Sequence, residues 1–142
     1  MMSKIAVVYW SGTGNTEEMA NLVVDGARNA GAEVELFTAS EFPLDRVESY
    51  DGLAFGCPAM GSEVLEEWEF QPMWDEASNH LFDKKIGLFG SYDWGDGEWM
   101  RNWALDAQDK GANLVLDPVI SHFNPEGDTV QELLDLGKAL AT

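Results

Sequence analysis

The chain has 142 residues, is 45% hydrophobic, and carries 26 acidic against 8 basic residues, for a net charge of −18. That size and apolar content suit a single domain spanning residues 1–142 with a proper core, and they exclude a disordered chain. The charge excludes general binding to nucleic acid or an anionic membrane, because the field repels phosphate outside a local pocket, and it favours basic protein partners steered by charge and weakened by salt.

A lone cysteine, Cys57, precludes an internal disulfide and suits a reducing, cytoplasmic setting. No signal peptide or membrane span is visible. The first strand-like run covers residues 4–9, where Ile5-Ala6-Val7-Val8 reads as a strand buried on both faces. Met19, Leu22, Val23 and Ala27 then recur at helical spacing over residues 15–29, and Gly31 stands where a helix stop belongs. Further strand-like runs cover 33–38, 52–56, 85–91 and 114–120, the last interrupted by Pro118. A short turn at 44–49 and helical patterns at 64–77, 97–110 and 126–141 separate them, with Gly111 just behind the one at 97–110. Alternating strand and helix implies an α/β, doubly wound parallel sheet with right-handed crossovers. Periodicity does not give the strand order.

In such a sheet, ligands bind beyond the C-terminal ends of the strands. The first loop there is Tyr9-Trp10-Ser11-Gly12-Thr13-Gly14-Asn15-Thr16, which opens a helix. Its amides and the helix dipole suit an anion, and Ser11, Thr13, Asn15 and Thr16 add side-chain donors. The loop has no Lys or Arg, so it is not a nucleoside-triphosphate loop. Glu17 follows where the dinucleotide fingerprint needs a third glycine. One terminal phosphate fits what remains, and so does an ordinary turn with a good N-cap.

The third loop, Cys57-Pro58-Ala59-Met60-Gly61-Ser62-Glu63, and the fourth, Gly90-Ser91-Tyr92-Asp93-Trp94-Gly95-Asp96-Gly97, each set a large soft or aromatic side chain among glycines. Met60 and Trp94 suit the two faces of a flat ring, or else a core position and a lone surface aromatic. A fifth loop runs Ser121-His122-Phe123-Asn124-Pro125. Glu63 rather than Arg ends the five-residue interval after Cys57, so a phosphatase loop is excluded and Cys57 reads as apolar filler. Cys57-Pro58 and Tyr9-Trp10-Ser11 stand where a receiver domain needs carboxylates. His80 and His122 have no partner at ligand spacing, so no metal is expected. Trp10, Trp68, Trp74, Trp99 and Trp103 read as packing residues.

The three motifs Ser11-Gly12-Thr13-Gly14-Asn15-Thr16, Ala59-Met60-Gly61 with Glu63, and Gly90-Ser91-Tyr92 followed by Trp94-Gly95-Asp96-Gly97 stand in one order, and by them the chain resembles the short-chain, clostridial-type flavodoxins over its whole length. The resemblance implies a flavodoxin-like three-layer sandwich, a five-stranded parallel sheet in order 2-1-3-4-5 with helices on both faces. It also implies one non-covalently bound FMN. The function it implies is low-potential one-electron transfer between redox proteins in place of ferredoxin, shuttling between semiquinone and hydroquinone. No catalytic side chain is implied, and a monomer is expected.

Carried over residue by residue, Ser11, Gly12, Thr13, Gly14, Asn15 and Thr16 cradle the phosphate. Met60, with Pro58 and Ala59 before it, covers the inner ring face and Trp94 the outer. The Met60-Gly61 peptide turns so that its carbonyl accepts from flavin N5, and Glu63 accepts from N3–H. Ser91 and Tyr92 line the path from phosphate to ring, Asp93 and Gly95 flank Trp94, and Asn124 completes the set. Two residues depart from the pattern. Asp93 holds a place where glycine is usual, and would carry strain if its φ were positive; Ser62 stands where some relatives carry aspartate. The competing reading is an FMN-dependent quinone or azo reductase, and a remoter one is an FMN-binding regulatory module.

Overall fold

A computed structural model describes residues 3–142. Its strands are β1 (Lys4–Tyr9), β2 (Glu33–Thr38), β3 (Gly52–Gly56), β4 (Lys85–Tyr92), β5 (Asn113–Leu114) and β6 (Val119–His122). Its helices are α1 (Asn15–Asn29), α2 (Phe70–Ala77), α3 (Glu98–Asp109) and α4 (Asp128–Ala141), with short 3-10 helices at Leu44–Ser49 and Ser78–His80. All strand pairs are parallel, and the order is β2-β1-β3-β4-β5 with β6 also on β4.

Alternation along β1 divides the core in two. Ile5, Val7 and Tyr9 face α1 and α4, where they meet Met19, Val23, Leu133, Leu136 and Leu140. Ala6 and Val8 face the other layer, with Phe55, Trp74, Trp99 and Trp103. Both faces of β1 are covered, which is why its sequence is continuously apolar. In the second layer Trp74 packs edge-on against Phe55 and Trp103 at 5.2 and 5.5 Å, and Phe70 against Trp103 at 5.3 Å. Such offset rings fill volume without stacking face to face. Trp74, Trp99 and Trp103 are therefore core residues, as expected of packing residues. Trp68 is not: it is 81% exposed.

Two elements differ from the sequence expectation. The helix expected over 64–77 begins at Phe70. Pro72 lacks an N–H and tolerates only the first helical turn, so it fixes the start close by. Ahead of it, Glu63 sits at φ 55° and Met60 pairs with Val64 in an isolated antiparallel bridge, neither compatible with a helix. The fifth strand is broken. β5 pairs with Lys85 and Ile86, β6 resumes opposite Phe89, and residues 115–118 bulge where Gly87 and Leu88 would have been paired. Pro118 cannot donate to the ladder there. The third and fourth helices start one or two residues later than expected, at Glu98 and Asp128.

Candidate functional site

The loops after β1, β3 and β4 meet at the C-terminal edge of the sheet and enclose a cavity of about 290 Å3. It is lined by Gly12 and Thr13 from the loop after β1, by Pro58, Ala59, Met60, Gly61 and Glu63 from the loop after β3, and by Ser91, Tyr92, Asp93 and Trp94 from the end of β4 and the loop after it. Trp10, expected to be a packing residue, adds a further wall. It stands at the exit of β1, directly before the loop, and that position was the available signal.

At one end the first loop turns into α1. Gly14 takes the N-cap position at φ 100°, and no side chain caps the helix. Ser11 Oγ instead accepts from the amides of Gly14 and Glu17, at 3.1 and 3.2 Å, which closes the loop on itself. Thr16 Oγ1 and Ser91 Oγ lie 2.9 Å apart and buried, tying the first loop to β4. One of the two hydroxyl protons is engaged in that bond, and the Thr16 amide stays open. The amides of Gly12, Thr13, Asn15 and Thr16 find no protein acceptor among the described residues. Four N–H groups at the positive end of a helix, with no cation in the lining, form a cradle for an anion. Ser11, Gly14, Asn15 and Thr16 hold this cradle rather than line the ring cavity, and Ser11 and Gly14 line a second cavity beside it.

At the other end the walls are apolar and soft. Met60 is half-buried and Trp94 is 63% exposed, a large ring left outside the core at the cavity mouth. Gly61 lies between them in sequence space at φ 47°, with open space where a side chain would point. Only its backbone conformation, not crowding, demands glycine. The Met60 carbonyl accepts from the Val64 amide at 3.0 Å, and the Met60 amide donates back at 2.8 Å. The Met60-Gly61 peptide is therefore tied down, against the expectation that it turns. The next carbonyl, that of Gly61, has no protein donor among the described residues and follows a residue free to change φ.

Glu63 closes the far wall. Its carboxylate accepts from the Glu98 amide at 3.1 Å, at the start of α3. It passes so close to Gly95, at φ 89°, that a Cβ there would stand 2.6 Å from the carboxyl carbon. Asp93 is absent from the residues with positive φ, so the aspartate sits there without left-handed strain. Its carbonyl is held instead by His122 Nε2 at 2.9 Å, and Tyr92 packs on the His122 ring at 5.1 Å. Asn124 is exposed and is not among the residues lining the cavity; β6 ends at His122, and Phe123 follows at φ 68°.

Beneath the loop after β3, Glu66 is 5% exposed. Burial alone would push its carboxyl up; amides of Phe70, Glu69 and Trp68 at 2.8, 2.8 and 2.9 Å outweigh this and hold it below the ordinary carboxylate value. Cys57 is fully buried at the end of β3; burial pushes its thiol far up, and its sulfur accepts from the Glu66 amide at 3.4 Å. Its carbonyl takes the Trp99 indole N–H at 3.1 Å. Neither group offers a nucleophile or acid to the cavity. Among the described residues no cluster of three or more metal-binding side chains occurs.

A cation-free amide cradle joined to a slot between a thioether and an indole fits a phosphorylated flat heterocycle. The family model for flavodoxin matches residues 7–137. A flavodoxin from Clostridium beijerinckii is 43% identical, covering 95% of this chain and 97% of its own length. One from Megasphaera elsdenii is also 43% identical, covering 96% and 98%. The solution structure of two-electron reduced Megasphaera elsdenii flavodoxin matches with a TM-score of 0.88 at 44% identity, over 96% of this chain and 98% of that one. The reductase reading is not favoured by these relatives. The chain belongs to the flavodoxin family, in its short-chain branch, and is an FMN-binding electron carrier.

Proposed function

We propose that residues 1–142 act as one FMN-binding domain, a monomeric cytoplasmic carrier that meets the basic faces of its redox partners through the acidic rim of the cavity. The observation that carries the reading is the conjunction of unpartnered amides at 12, 13, 15 and 16 with the adjoining Met60–Trp94 slot, whose lining Gly12 and Thr13 share. The net charge of −18 and a single, buried thiol support the choice of partner and compartment. FMN supplies the one-electron chemistry when bound. The chain's own residues bind, orient and bias it.

The amides of Gly12, Thr13, Asn15 and Thr16, with the hydroxyls of Ser11 and Thr13, would hold the phosphate. Holding a dianion with dipoles alone keeps positive charge away from the ring. Met60 and Trp94 would exclude water from the two ring faces. The Gly61 carbonyl is the free acceptor beside the ring and can swing on a glycine hinge at modest cost. An acceptor engaged in only one protonation state of a neighbour favours that state by about 0.5–1.5 kcal/mol. At about 59 mV per tenfold change in a one-electron couple, that separates the two couples by tens of millivolts. Glu63 would accept at the far edge, where its second tie to Glu98 fixes its direction. Carboxylates of Glu63 and Asp93 in the lining disfavour added negative charge, which keeps the lower couple low.

Reconstitution tests the reading. Protein stripped of cofactor should recover a yellow, stoichiometric complex with FMN and bind riboflavin far more weakly, since riboflavin leaves the amides unpaired. The loaded protein should relay electrons from a flavin reductase to an acceptor and should not itself oxidise NADPH rapidly. Equal affinity for FMN and riboflavin would refute the cradle, and fast unaided NADPH oxidation would refute the carrier.

A further inference from the structure

We propose that Trp68 is the aromatic anchor of this carrier's docking face, and that it receives an arginine side chain of a basic partner. The proposal rests on the basic-partner reading above and adds the residue and the chemistry of the contact.

Four of the other five tryptophans place the indole in the core or give its N–H a partner at once. Trp10 donates to Glu69, Trp74 to Asp106 and Trp99 to the Cys57 carbonyl, and Trp103 is 3% exposed. Trp68 does neither. It is 81% exposed, and its indole has no partner among the described residues. Nor does it hang from a slack loop. Leu65 and Phe70 are buried on either side, and the buried Glu66 carboxylate accepts the amides of residues 68, 69 and 70. The turn is thus built to hold a large apolar ring out in water. Rigid, exposed tryptophan is the residue most enriched at the energetic centre of protein interfaces.

Position and charge select the occupant. Glu69, next in sequence, accepts the Trp10 indole N–H at 3.4 Å, and Trp10 lines the cavity. Trp68 is therefore joined to the cavity wall through Glu69 and Trp10, on the same side of the molecule. Glu67 and Glu69 flank it and are exposed. Between Arg46 and Lys84 the sequence has no Lys or Arg. An indole face beside two exposed carboxylates suits a guanidinium, which stacks flat on the ring while its fork pairs with carboxylates. A second copy of this chain would bring another −18 to the contact and is opposed by charge.

The test uses the FMN-loaded protein, reduced, with ferric cytochrome c as a basic one-electron acceptor. Each turnover takes one electron from the carrier and reduces one haem iron. Wild type, Trp68→Phe and Trp68→Ala are compared across ionic strength. The wild-type rate constant should fall with salt. Trp68→Ala should slow the reaction by about three- to thirtyfold at low salt, the range a cation–ring contact supports, with Trp68→Phe between. The FMN dissociation constant and spectrum should be unchanged in both, because Trp68 does not line the cavity. A wild-type rate indifferent to salt would overturn the basic-partner reading itself. A salt-sensitive rate that is equal in all three proteins would overturn only the role of Trp68. A Trp68-dependent dimer in sedimentation would assign the face to a second copy and overturn the arginine assignment.

Discussion

Replacing Glu66 probes how the cavity wall is held. Its Oε1 accepts the Glu69 and Phe70 amides at 2.8 Å and its Oε2 accepts that of Trp68 at 2.9 Å. Phe70 is fully buried, so its N–H has no recourse to water, while residues 68 and 69 are exposed and their amides can be rehydrated. Hydrogen bonds to a charged acceptor contribute roughly 1.5–3 kcal/mol. Counting the buried bond in full and the two wet ones for little, Glu66→Ala should cost about 2–3 kcal/mol. At about 2–4 °C per kcal/mol for a chain of this size, the melting temperature should drop by about 5–10 °C. Glu66→Gln can keep Oε1 for two amides but sets an NH2 against the third, and should cost about 1 kcal/mol. The carboxyl is held below its unfolded value, so its contribution is present above the ordinary carboxylate pKa. That contribution is lost as pH falls through the depressed folded value. Wild type should therefore lose its advantage over Glu66→Gln in acid. Urea and thermal unfolding of cofactor-free and FMN-loaded protein separate this term from stabilisation by the ligand. A Glu66→Ala protein that melts with wild type, or a wild-type advantage over Glu66→Gln that survives in strong acid, would refute the capping argument.

Gly61→Ala puts a Cβ on a left-handed residue with open space around it, so the cost is about 1–2 kcal/mol of backbone strain alone. Less protein should accumulate at the one-electron stage of a dithionite titration, with FMN still bound; unchanged accumulation would remove the hinge from the mechanism. Gly95→Ala should push the Glu63 carboxylate out of the cavity, since that flexible end is what its Cβ would meet. FMN affinity should fall, and fall no further in a Glu63→Ala background; additive losses would break the link. Trp94→Ala should weaken FMN and raise the lower potential by admitting water, both read by spectroelectrochemistry, and an unmoved potential would exclude Trp94 as a wall.

The sheet was legible because β1, β3 and β4 are covered on both faces and so read as apolar runs punctuated by glycine. The anion loop was legible because Gly12, Gly14 and the hydroxyls crowd a strand-to-helix turn. What stayed hidden lies in long-range bonds. Helical spacing continued back to Val64, but the bridge from Met60 claimed that segment, and only Pro72 in the first turn of α2 hinted at the true start. The same bridge occupies the Met60 carbonyl and leaves that of Gly61 free, a distinction of one peptide that residue types do not encode. Glu66 looked like one more surface acid among Glu63, Glu67 and Glu69, although it is the one turned inward. Trp68 failed the opposite way, since bulk alone suggested packing. Asn124 rests on likeness alone and lies outside the cavity lining.

The seclusion of Cys57 has a practical side. An electron carrier working near oxygen generates peroxide at its own doorstep, and a thiolate there would be oxidised first. In this chain the lone sulfur stays protonated, out of reach, and joined to the backbone of residue 66. Disulfides between copies are thereby foreclosed, and a thiol-specific dye added to the folded protein becomes a clock for the rare openings that expose the C-terminal end of β3.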